Sequence, residues 1–187
     1  MFVTKDCTAI LLTDIDAEID QLLLPNHSRV ADAARYHLSA GGSRVRARLG
    51  IEAAAALNLS PQASLACAIA PELLHNASLV HDDLQDDDAM RRGKPSVWSR
   101  FGKDIAISTG DLLISAAYMA ISKHPHPALA LRAMHDAVSL TINGQTQDCR
   151  STQPTPETYV NIAANKSGPL LALPIRLALI AAQAPGQ

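Results

Sequence analysis

The chain has 187 residues, 48% hydrophobic and 18% charged, with 16 Lys and Arg against 18 Asp and Glu. That length suits a single domain spanning 1–187, and the hydrophobic fraction excludes a disordered chain. A net charge of −2 and 3% aromatics exclude a basic footprint or a row of stacking rings, so no nucleic acid partner is expected.

In chain order, the Ala- and Leu-rich pattern predicts helices at 6–24, 28–40, 44–58, 61–86, 104–122, 127–149 and 167–183. Ser60-Pro61 starts the fourth, since serine caps open N–H groups and proline suits the first helical position. Pro71 lies inside that helix and is expected to kink it near Cys67. Pro25, Pro61, Pro125, Pro127, Pro154 and Pro156 are read as falling between helices. With no alternating β-branched runs, the fold class is all-α, a helical bundle. Cys7, Cys67 and Cys149 are an odd number with no CxxC pair, which points to neither disulfides nor zinc. The N-terminus lacks a signal-peptide core, and the apolar stretch Leu170 to Ala182 is too short to span a bilayer. No membrane span and a cytoplasmic location are expected.

Residues 72–88 read ELLHNASLVHDDLQDDD. Asp82 and Asp86 stand four apart and Asp83 three before Asp86, which stacks carboxylates near one helix face. Five aspartates in seven positions repel one another near the negative end of the helix dipole. An oxygen-only donor set of this kind suits a hard cation such as Mg²⁺. A solvated acidic helix end is the plain alternative, and His81-Asp82 as the His-Asp pair of a phosphohydrolase is another. The block that follows, Arg91-Arg92-Gly93-Lys94-Pro95, supplies arginine forks suited to phosphate. Aspartates, a metal and arginines together describe a diphosphate site.

In this order the motifs resemble those of the trans-isoprenyl diphosphate synthases, the polyprenyl synthetase family. Gly41-Gly42-Ser43-Arg44-Val45-Arg46 resembles its GGKRxR segment, and HDDLQDDDAMRRGKPSVW (81–98) its first aspartate-rich motif. Phe101-Gly102 and Gly110-Asp111-Leu112-Leu113 match the next helix, Asn143 to Asp148 the helix facing the aspartates, and Lys166-Ser167-Gly168 the KT segment.

The resemblance implies condensation of isopentenyl diphosphate with an allylic diphosphate to a linear isoprenoid diphosphate. Asp82, Asp83 and Asp86 would bind Mg²⁺ on the allylic diphosphate, with Arg91 and Lys166 adding positive charge. Gln145 and Asp148 would line the opposite wall, and Arg46, His75 and Arg92 would hold isopentenyl diphosphate. Each has a bland alternative: a structural histidine, a solvated basic face at Arg44, Arg46 and Arg48, surface positions for Gln145 and Asp148, a loop lysine. Ala77 and Ser78, small residues before the first aspartate, imply a product of geranylgeranyl length or longer, unless Tyr118 forms the pocket floor.

The sequence departs from the family pattern where Ser43 replaces a lysine, where Pro71 enters a helix, and in having no second DDxxD before Gln187. The expectation is therefore the N-terminal part of a synthase, acting as a homodimer or as a subunit of a hetero-oligomer with another synthase chain. The alternative is an inactive truncated remnant or non-catalytic partner subunit.

Overall fold

The computed structural model describes residues 7–23, 28–150 and 155–183. Its helices are α1 (Cys7–Leu23), α2 (Arg29–Ser39), α3 (Val45–Ala56), α4 (Pro61–Gln85), α5 (Val97–Phe101), α6 (Lys103–Ile121), α7 (Pro127–Arg150) and α8 (Pro156–Ala181). Between α4 and α5 a short hairpin pairs β1 (Met90–Arg91) antiparallel with β2 (Lys94–Pro95). The expected all-α bundle is present; the hairpin and α5 were not foreseen, being too short to show a period.

The last helix begins at Pro156, not at 167. Thr155 caps it by accepting from the Thr158 N–H, with Pro156 in the first turn, the device that Ser60 and Pro61 use for α4. Lys166 therefore stands on a helix rather than in a loop. Pro169 and Pro174 resemble breaks in sequence, but the helix runs through both because Leu170, Leu173 and Leu177 are buried against its neighbours.

Helix α4 is the centre of the bundle, flanked by α3, α6 and α8. By length and composition α4 and α6 are apolar enough to cross a membrane, but 78% of the apolar window of α4 is buried inside the fold. α4 passes through Pro71 without ending. Pro71 has no N–H to give the Cys67 carbonyl, and the backbone of α3 covers that carbonyl at Gly50. A Cβ at Gly50 would lie 2.6 Å from the Cys67 oxygen and 2.9 Å from Ala68 Cα. Gly50→Ala should destabilise the fold by about 1–3 kcal/mol in urea denaturation. An unchanged midpoint would show that α3 and α4 part freely there.

Candidate active site

One face of α4 carries His75, Ser78, Asp82 and Gln85, separated by three or four residues and so aligned along the helix. Together with Arg46 of α3, Thr141, Gln145 and Cys149 of α7, and Lys166 and Leu170 of α8, they line a cavity of about 580 Å³. The structure thus brings together six residues singled out in the sequence: Arg46, His75, Ser78, Asp82, Gln145 and Lys166.

At the acidic end, burial is the main cause that raises Asp82 from its ordinary 3.8 to about 6; Lys166 opposes it, and Asp86 adds to it. Lys166 Nζ donates to Asp148 Oδ2 at 2.7 Å and lies 3.8 Å from Asp82 Oδ2. Burial works against that ammonium, but the Asp148 hydrogen bond and the charges of Asp82, Asp148 and Asp86 outweigh it and raise its pKa. Asp86 is the exposed C-cap of α4.

Asp83 is placed differently from its neighbours. It is 1% exposed, and Arg91 Nε donates to both its oxygens at 2.6 and 2.8 Å. The hairpin thus folds Arg91 back onto α4, and neither Asp83 nor Arg91 lines the cavity. Of the three motif carboxylates, those left for a cation are Asp82 in the cavity wall and, one turn on, Asp86, which is exposed and not part of that wall. Among the described residues no three His, Cys, Asp or Glu side chains converge on one point. Two carboxylates nevertheless fit Mg²⁺, which keeps much of its water and completes its octahedron with phosphate oxygens.

The basic end is assembled from three elements. Arg46 and His75 line the cavity, and Arg92, on the hairpin, rests its guanidinium on Gly42. A Cβ at Gly42 would come within 2.7 Å of that guanidinium, so the Gly41-Gly42 loop is a seat for Arg92. Burial pulls Arg46 below its ordinary value, with Glu72 opposing. The Glu72 carboxylate is already engaged, accepting from the Ala47 N–H at 3.3 Å and from Asn76 Nδ2 at 3.3 Å. Burial, then Arg46, Arg92, His37 and Arg91, lower His75 to about 3. The neutral imidazole of His75 and the guanidiniums of Arg46 and Arg92 form a place that an anion would complete.

Of the two small residues before the aspartates, Ser78 faces the cavity and Ala77 is buried in the core. Tyr118 is exposed on α6 and is not in the cavity wall. Arg44 pairs with Asp16 at 2.7 Å, which separates it from Arg46. Sequence reasoning missed His37, Gln85 and Cys149. Gln85 was legible, three residues after Asp82; its Oε1 accepts from Gln145 Nε2 at 3.0 Å across the cavity. His37 and Cys149 come from α2 and α7, and no local spacing announced them.

Arg91→Ala would leave Asp83 buried and unpaired and should cost about 3 kcal/mol in chemical denaturation; an effect as small as that of Arg48→Ala, at an exposed position, would refute this role. His37 carries a pH dependence. Burial, with Arg92 and Arg91, lowers it from 6.5 to about 4, against a hydrogen bond with Asn76. The unfolded chain takes up that proton near pH 6.5 and the fold resists it until about pH 4. Its contribution is therefore complete above 6.5 and is lost as pH falls. Between pH 7 and 5 His37 should by itself remove about 2 kcal/mol of stability, and His37→Leu should flatten the profile by that amount; parallel profiles would refute it.

Comparison with known proteins finds a match of residues 27–187 to the polyprenyl synthetase family. A geranylgeranyl diphosphate synthase of Methanosarcina mazei is 40% identical over 129 residues, 68% of this chain and 40% of that protein. A (2E,6E)-farnesyl diphosphate synthase of Mycobacterium tuberculosis is 34% identical over 149 residues, 77% of this chain and 42% of that protein. The chain thus spans less than half the length of these curated relatives. A crystal structure of geranyltranstransferase from Thermotoga maritima superposes with a TM-score of 0.86 at 28% identity, covering 94% of this chain and 69% of that one.

Proposed function

The chain belongs to the polyprenyl synthetase family, and from that premise we propose that its cavity serves the condensation of isopentenyl diphosphate with an allylic diphosphate. The observation that carries this reading is the pair of subsites on one face of α4: Asp82 with Lys166 at one end, Arg46 and His75 at the other. His75 and Asp82 are seven residues apart, about 10 Å along the helix. That separation leaves room for two diphosphates whose hydrocarbon ends meet between them.

In this reading Asp82 and Asp86 would hold Mg²⁺, which would supply positive charge to the allylic diphosphate as its C–O bond ionises. Lys166 donates to the same leaving group, and Asp148 keeps that ammonium protonated and aimed. Arg46, His75 and Arg92 fix the isopentenyl diphosphate, so that its double bond is held against the allylic carbon. Gln145 Oε1 and Thr141 Oγ1 are buried without partners in the fold, leaving lone pairs for a developing cation. Leu79, Ile142 and Leu170 line the same cavity and exclude the water that would quench it. The small Ser78 in the wall supports a geranylgeranyl or longer product. Exposed Ile107, Tyr118 and Met119 on α6 suit the expected self-association.

The test supplies labelled isopentenyl diphosphate, Mg²⁺ and dimethylallyl, geranyl or farnesyl diphosphate. Product is expected, with Asp82→Asn and Lys166→Ala lowering kcat by about 10²–10³-fold and Ser78→Phe shortening the chain made. A folded protein that binds these diphosphates without turnover would refute a self-sufficient synthase and favour the partner-subunit reading.

A further inference from the structure

We propose that Gly144 is the positioning residue for Lys166, and that its missing side chain sets the distance from the ammonium to both Asp148 and Asp82. The proposal rests on the function just argued for the meaning of Lys166, but its geometry stands apart from it. Gly144 is buried in the middle of α7, where glycine costs about 1 kcal/mol relative to alanine. A compensating role is therefore to be sought in what the absent Cβ would meet. It would lie 2.4 Å from the Lys166 backbone nitrogen, 2.6 Å from the Asn165 carbonyl carbon and 2.7 Å from Lys166 Cα. All three atoms are backbone of α8, so no rotamer change makes room. The two helices would have to part, by about 1 Å to reach ordinary contact distance.

That crossing is also where the charges meet. Asp148 lies four residues after Gly144, one turn along α7, and accepts from Lys166 Nζ at 2.7 Å. The same Nζ is 3.8 Å from Asp82 on α4. Moving α8 off α7 at Lys166 lengthens both separations at once, and the cavity between α4, α7 and α8 changes shape with them. Gly168, two residues further along α8, is the natural control: a Cβ there meets nothing within 4 Å.

The experiment has two arms. In the first, crystal structures of the wild type, Gly144→Ala and Gly168→Ala are compared. Gly144→Ala is expected to carry Lys166 Nζ out of hydrogen-bond distance of Asp148, and Gly168→Ala to leave it in place. A bond retained near 2.7 Å in Gly144→Ala overturns the proposal. The second arm measures affinity for inorganic diphosphate with excess Mg²⁺ by calorimetry in a cycle with Lys166→Ala. Gly144→Ala should weaken binding about ten-fold when Lys166 is present and not at all when it is absent. Additive losses would mark a general packing role and overturn it, as would loss of helicity in Gly144→Ala while Gly168→Ala stays folded. If the wild type binds no diphosphate, the functional reading falls and the crystallographic arm still decides the positioning role.

Discussion

A helix buried almost to its last turn cannot end in carboxylates unless positive charge is brought to it. α4 meets this constraint in an acute form. Its apolar body is the core of the bundle, and its end carries Asp82, Asp83 and Asp86, of which Asp82 is raised chiefly by burial and Asp83 is 1% exposed. Two cations answer, each from a different element. Arg91 reaches back from the hairpin and takes both oxygens of Asp83, and Lys166 comes across from α8 to stand between Asp82 and Asp148. The hairpin, too short to be a stable element alone, is tied to α4 by that ion pair and to α2 by Tyr36, which donates to the Pro95 carbonyl at 2.8 Å.

The opposite end of the same face is balanced the other way. There the positive groups outnumber their partners: Glu72 is already engaged, Arg46 Nε is buried without a hydrogen bond, and the imidazoles of His37 and His75 are held neutral. A site assembled with too much positive charge is paid for in stability, and its guanidiniums are already placed for an anion. One end of the cavity thus shows carboxylates bridged by a lysine, and the other guanidiniums awaiting a counter-charge. In the reading proposed above, this polarity along α4 would orient the two diphosphates.

Close backbone approach is the means by which these charges are placed. Gly50 lets α3 lie on the carbonyl that Pro71 leaves bare, Gly42 seats Arg92, and Gly144 admits α8 beside α7. Each contact joins two elements, α3 to α4, the loop before α3 to the hairpin, and α7 to α8. Gly42 and Gly144 lie in motifs legible as patterns, but the atoms they make room for belong to another motif.

The sequence by itself determined most of the long helices, because hydrophobic period, the Ser60-Pro61 start and the scarcity of glycine are local properties of the chain. It also brought out the acidic run, the arginines after it and Lys166, whose order is a one-dimensional fact, and with them the family. What it did not contain is which carboxylate faces the cavity. Asp82 and Asp83 are adjacent and chemically identical, and only the 100° turn between them, set against the position of the hairpin, sends one to the cavity and the other to Arg91. The burial that holds His37 neutral and the crossing at Gly144 were likewise decided in three dimensions. Each depends on a neighbour from elsewhere in the chain, and burial and distance between elements are not properties of any local stretch of residues.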